Sequence, residues 1–337
     1  MYPSRPAPET LIKPDGQPEY GHFDGIPKQL GVEYFDYRNV MDRRIGALGK
    51  YFHYKQFQFV SLFTPRYIIG IAVADIRYLS SAFCYLYDRE NNTLVEQTWL
   101  RPLALDKQIT PSCYHGKTAI AKDKIQFIIE HGRWHIKATS RHLALDVLLH
   151  PPADSLPLSV TTPTGYSGWT YTQKHNALPV TGRLIIDGEE QNLTHALAGY
   201  DFSAGYMRRE TSWRWASINT EIQDTTLGLN LAAGVNETGS CENALWVNGQ
   251  RQLLVPVHFQ FSRQHIVQPW HIYSENGQIE LTFTPLNKRS EKLNFWLLKS
   301  NYRQFIGHFS GVITDNDGRQ HTLNNVLGLT EDHYAKW

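Results

Sequence analysis

The chain has 337 residues, more than a typical single core holds and enough for two packed domains. Hydrophobic residues make up 41% and charged residues 19%, which excludes a disordered chain. A formal net charge of +1 without a long Lys/Arg block argues against nucleic acid or an anionic membrane surface as partner.

The first 30 residues carry Pro3, Pro6, Pro8, Pro14, Pro18 and Pro27 and predict an extended arm lying on the body. This stretch lacks the apolar core of a secretory signal. No apolar run reaches the roughly 18 residues of a membrane span, so no transmembrane segment is expected. Cys84, Cys113 and Cys241 are widely spaced with no CxxC, which points to reduced thiols and a cytoplasmic protein.

From there the pattern is β. A short helix is allowed in "VMDRRIGALGKYF" (40–52), after which "YIIGIAVADI" and "SSAFCYLYD" read as strands. "IQFIIEHGRWHIKATS" reads as a hairpin turning at His131-Gly132, and the device recurs at Asp187-Gly188, Asn248-Gly249, Asn276-Gly277 and Asp317-Gly318. In "GQIELTFTPL", Ile279, Leu281 and Phe283 alternate with Glu280, Thr282 and Thr284, the period of a half-buried strand. Short strands, hairpin turns and few short helices predict an all-β fold of antiparallel sandwiches or barrels. The proline-bearing stretch 150–165 is expected to join two β domains, 31–160 and 161–337.

No GxGxxG, Walker loop, HExxH or GxSxG is present, so dinucleotide, nucleotide-triphosphate, zincin and α/β-hydrolase chemistry is not expected. Glu331 and His333 would share a strand face, but one such pair does not make a metal site, and none is expected. The densest stretch is "GYDFSAGYMRRETSWRWAS" (199–217). As a strand, its end sends Trp213, Trp215 and Ser217 to one face and Arg214, Ala216 and Ile218 to the other. Arg214 is either a buried partner of a carboxylate or a clamp for an anionic head group. Asp201 falls in a turn of small residues, where backbone and side chain can approach a ligand.

"YTQKHNALPVTGRL" (171–184), "AGYDFSAGYMRRETSWRWASI", "GVNETGSCENALWVNG" (234–249) and the ending "LGLTEDHYAKW" resemble a bacterial and fungal family known only as a domain of unknown function, DUF2804. The order Tyr171 to Lys174, Gly182, Tyr200-Asp201 and Trp213-x-Trp215 is also similar to two-domain lipocalin-like proteins, the group of carotenoid 1,2-hydratases and AttH-type proteins. That resemblance implies two tandem lipocalin-like β domains and a hydrophobic or amphipathic small-molecule ligand. It also implies cofactor-free acid–base chemistry of hydratase, isomerase or cyclase type. Carried over, Asp201 protonates a double bond, and Tyr200 and Trp215 flank the developing cation. His195 is the nearest second functional side chain, since "DFSAG" holds none. A lipid or fatty-acid carrier remains open, with Arg214 and Lys174 on the head group and Trp213, Trp215 and Tyr171 on the tail. So does a structural protein without a cavity, and exposed strand edges leave homo-oligomerisation open.

Overall fold

Strand follows strand along nearly the whole chain in the computed structural model, which describes residues 3–103, 105–236, 239–295 and 298–337. The first sheet takes β1 (Ser4–Pro6), β2 (Gly21–Asp24), β3 (Lys55–Phe63), β4 (Tyr67–Asp75), β5 (Leu79–Asp88) and β6 (Thr93–Pro102). It continues through β7 (Lys107–Ile109), β8 (His115–Ile120), β9 (Ile125–Glu130), β10 (Arg133–Thr139) and β11 (Leu143–Leu149). β12 (Leu158–Thr164), β13 (Gly168–Ile186), β14 (Glu189–Glu190) and β15 (Leu197–Gly205) complete it. The second sheet holds β16 (Glu210–Ile222), β17 (Thr225–Ala233), β18 (Ala244–Val247), β19 (Gln250–Leu253) and β20 (His258–Gln260). β21 (Trp270–Tyr273), β22 (Ile279–Phe295), β23 (Leu298–Thr314) and β24 (Gln320–Lys336) finish the chain.

Both sheets are antiparallel apart from the short parallel β1–β2 pair, and both curl until nearly closed. Among the described residues the only α-helix is α1 (Ala47–His53), inside the segment where one was allowed. None is long and apolar enough to cross a membrane.

Local chemistry sets the turns. At His131-Gly132, Asp187-Gly188 and Asn248-Gly249 both residues take positive φ, between 48° and 89°, as a two-residue hairpin turn requires. Period-two patterning sets the faces. Along β3, Val60 and Leu62 enter the core of the first sheet, while Phe59 and Phe63 point outward. Along β16, Ala216 and Ile218 enter the core of the second sheet, while Trp213 and Trp215 point outward. The outward aromatics meet in a third apolar layer between the sheets, with Phe83, Tyr85, Tyr302 and Leu329. Each large side chain moved from water into such a layer contributes roughly 1.5–3 kcal/mol.

A bulge locks the two sheets together. The β13–β15 register shifts between His175 and Leu178, and Ala177 takes a φ of 55°. Asn176 is thereby pushed out to donate to Ser217 Oγ at 2.7 Å and to the Leu229 carbonyl at 3.0 Å. Asn219 answers by accepting the Ala177 amide at 2.7 Å.

The chain changes sheets later than the proline cluster suggests. β13 pairs along β11, β12 and β15, and β15 pairs with β3, so residues 161–205 belong to the first sheet. The crossing to the second sheet runs through 206–209. The prolines at 151–163 instead mark a turn followed by β12, which pairs with β13 on one side and with β2 of the arm on the other. The arm also buries Leu11, Ile12 and Phe23 in the first core, and Arg251 of β19 grips its Phe23 carbonyl at 3.0 Å. It straps the two sheets.

Candidate functional site

Two charged clusters face each other across the layer between the sheets. The first is built by register. Lys174 on β13 lies directly opposite Asp201 on β15, so their side chains share the outward face. Lys174 Nζ hydrogen-bonds to Asp201 Oδ2 and stands 3.6 Å from Glu242 Oε2. Asp201 Oδ1 accepts from Ser203 Oγ at 3.2 Å. Glu242, in the irregular segment before β18, accepts from Thr172 Oγ1 at 3.1 Å and Asn236 Nδ2 at 3.3 Å. Burial works to lower the Lys174 ammonium, but Asp201 and Glu242 beside it hold its pKa above the ordinary value. Burial pushes the Glu242 carboxyl up, and Lys174 only partly offsets this.

The second cluster belongs to the second sheet. Glu331 on β24 pairs in register with Trp215 on β16 and Gln304 on β23. Its Oε1 accepts from Trp213 Nε1 at 2.7 Å and its Oε2 from Gln304 Nε2 at 3.3 Å. Burial raises this carboxyl from 4.5 to about 7, against the pull of the Trp213 donor and the nearby Tyr302 hydroxyl. Two residues on, the ring of His333 packs 4.3 Å from that of Trp213. Burial drives its pKa down to about 3, so it is neutral at pH 7. His333 Nε2 pairs with Ser300 Oγ at 2.9 Å, whereas its buried Nδ1 has no hydrogen-bond partner among the described residues. Arg289 lies 3.8 Å above the Phe83 ring and is held by Glu96 at 2.7 Å and Glu291 at 2.8 Å.

Between the clusters lies a cavity of about 230 Å³. Phe57, Phe59, Ala72 and Phe83 line it from the first sheet, and Trp213, Trp215, Tyr302 and Ala335 from the second. Lys174, Asp201, Glu242, Glu331 and His333 are among the polar groups that reach it, as are Lys55, Arg208, Arg289 and Lys299. An apolar hollow with a few converging polar side chains is the usual form of a small-molecule site.

Of the residues expected from the sequence to act on or bind a ligand, Asp201, Lys174, Trp213 and Trp215 meet here. The others do not, and strand alternation explains most of it. Tyr200, next to Asp201, faces into the first sheet, where it stacks 4.6 Å from Trp134 and accepts from Gln173 at 2.7 Å. Tyr171 is fully buried there, its hydroxyl 3.0 Å from Ser159 Oγ. Arg214, between the two tryptophans, points to the opposite face and stands 3.5 Å from Asp332, so it is neither a clamp in this cavity nor the partner of Asp201. His195 is surface, its side chain 71% exposed and 3.7 Å from Glu221. Glu242, Tyr302 and Arg289 escaped the sequence reading, because nothing local marks them. Glu331 and His333 do share a face as their spacing requires, but they meet indole and hydroxyl groups. Among the described residues no group of three or more His, Cys, Asp or Glu is placed to hold a metal ion.

No curated protein matches the chain. Solved structures do. The protein CghA with Sch210972 superposes with a TM-score of 0.50 at 9% identity, over 83% of this chain and 88% of that one. An AttH-like protein of Nitrosomonas europaea gives 0.47 at 15% identity, over 83% and 91%. Kievitone hydratase of Nectria haematococca gives 0.47 at 11% identity, over 84% and 88%. At 9% identity the likeness to CghA speaks to the fold alone, which is lipocalin-like. The family described as Domain of unknown function (DUF2804) matches residues 7–337, and the chain belongs to it.

Proposed function

We propose that the cavity between the sheets binds an apolar or amphipathic small molecule and carries out acid–base chemistry on it, of hydratase, isomerase or cyclase type, with Glu331 as the proton donor. The observation that carries this reading is a buried carboxyl with a pKa of about 7, set beside two tryptophans in a hollow whose walls are mostly apolar. A group titrating near the working pH is populated as the acid and still releases its proton readily. Asp201 suits this role less, since one oxygen is engaged by Lys174 and the other by Ser203. It becomes the anion that positions Lys174.

Protonation of a carbon–carbon double bond or carbonyl by Glu331 leaves positive charge on the substrate. The indole faces of Trp213 and Trp215 offset that charge by about 0.5–2 kcal/mol. Neutral His333 offers Nδ1 to a water or substrate hydroxyl. The chemistry asks for no cofactor, because the proton and the stabilising groups are side chains.

The test works whatever the substrate is. The pure protein is incubated with an apolar metabolite extract in D2O, and products are followed by mass spectrometry. The wild type is expected to place deuterium on carbon in one compound. Glu331→Gln should retain that compound in native mass spectra without labelling it. A retained compound that gains no label with either protein would leave a carrier and remove the enzyme.

A further inference from the structure

Behind the cleft wall, on the opposite face of the same strands, the charges do not balance. Asp332 on β24 is flanked in register by Arg214 on β16 and Arg303 on β23. Arg263, from the loop after β20, reaches over the row and donates to both Asp332 oxygens, at 2.9 and 2.7 Å. Arg214 and Arg303 stand at 3.5 and 3.6 Å, within ion-pair range but too far for a good hydrogen bond to Asp332. Three guanidinium groups thus face one carboxylate, leaving a local excess of two positive charges. Burial lowers the Arg214 pKa, and neighbouring Arg263 adds to this, as expected where like charges crowd.

The group is built rather than floppy. The Arg263 guanidinium rests 5.3 Å from the Phe261 ring, which stacks 4.0 Å from Trp270 of the second core. It is also reachable, with side-chain exposures of 52% for Arg263, 26% for Arg214 and 16% for Arg303. Of the three arginines only Arg214 also borders a surface hollow of about 280 Å³, together with Arg208, Thr211, Ser212, Gly234 and Tyr334. Glu210 at its edge is already engaged by Tyr334 and Lys336.

We propose that Arg214, Arg263 and Arg303 form an oxyanion site that takes a dianionic phosphate group, with Asp332 holding the guanidinium groups in place. The planar fork of arginine presents paired donors to phosphate oxygens. A dianion, unlike a single carboxylate, cancels the local excess. Arg214, Arg263, Arg303 and Asp332 do not line the cleft, although Arg208 and Thr211 border both it and the hollow beside Arg214, so the site stands or falls apart from the cleft's chemistry.

The experiment is calorimetric titration of the full chain with inorganic phosphate at pH 7.5, beside sulfate and acetate at matched ionic strength. Saturable phosphate binding is expected, at least tenfold tighter than acetate, with sulfate in between or equal to phosphate. Arg263 is half exposed, so Arg263→Gln should fold and weaken phosphate at least fivefold; Arg303→Gln should weaken it at least tenfold. Absence of saturation in the wild type, acetate binding as tightly as phosphate, or unchanged affinity in a folded Arg263→Gln would each overturn the proposal.

Discussion

The two faces of the β16–β24–β23 surface carry opposite solutions to the same problem, a buried carboxylate. On the cleft face Glu331 meets an indole N–H, an amide and a phenol, and among the described residues no lysine or arginine pairs with it. On the other face Asp332, one residue along, is surrounded by three arginines. Neutral donors leave the cost of burying charge largely uncompensated, so Glu331 holds its proton to about pH 7. Arginines make the other site an anion's site. One step of the pleat therefore separates a carboxyl among neutral donors from an ionic cluster, and only sorting residues by face reveals which is which.

The largest test strikes the pairing that Glu331 lacks. Lys174 is the cation between Asp201 and Glu242, and all three are buried. Lys174→Met leaves two carboxylates facing each other without it. The expected loss in stability is roughly 3–5 kcal/mol, measured by guanidinium unfolding. A loss under about 1 kcal/mol would mean that the cluster is solvated rather than buried.

The next concerns pH. Glu331 has a raised pKa when folded, so between 4.5 and about 7 the folded state holds a proton that the unfolded chain has lost. Stability from this group is therefore full below pH 4.5, falls as pH rises through that window and is flat above it. Glu331→Gln removes the dependence. Relative to wild type, the variant should gain about 3 kcal/mol between pH 4.5 and 8. A constant difference across that range would show that the carboxyl is not perturbed.

A smaller effect separates the two tryptophans. Trp213 donates to Glu331, while Trp215 donates to Asn230 at 2.7 Å. Trp213→Phe removes a hydrogen bond that favours the ionised form, so the Glu331 midpoint should move upward by roughly one pH unit. Trp215→Phe should leave it in place. Carboxyl infrared bands followed through a pH titration distinguish the two, and equal shifts would contradict the contacts.

How much of this was legible follows from the range of the interactions. Turn residues and period-two patterns act within a few positions, so the Asn248-Gly249 hairpin and the Ile279-Leu281-Phe283 face could be read directly. The outward pair Trp213 and Trp215 was legible for the same reason. Lys174 and Asp201 were both picked out, but their contact depends on the register of strands 27 residues apart, which no local pattern states. Glu242 sits in a segment without periodicity and enters the site through long-range contacts with Thr172 and Lys174 on β13. The proline stretch at 150–165 misled because the residues that break a strand are the same whether a domain or only a sheet edge ends there. Density of charge in 199–217 misled too: Asp201 and Arg214 are near in sequence yet lie on different sheets and different faces.

His195 gives the smallest effect and the cleanest control on that lesson. It lies six residues from Asp201 in sequence, which made it a candidate partner, yet its nearest charged neighbour is the surface carboxylate of Glu221. An exposed ion pair of this kind contributes little, since water and salt screen it. His195→Ala should change stability by less than about 0.5 kcal/mol. It should also leave uptake of an apolar fluorescent probe by the cleft unaltered, whereas Ala232→Trp, which adds a ring beside Trp215 in the cavity wall, should abolish it. If His195→Ala weakened the probe as much as Ala232→Trp, proximity along the chain would matter after all, and the separation of faces would lose its force.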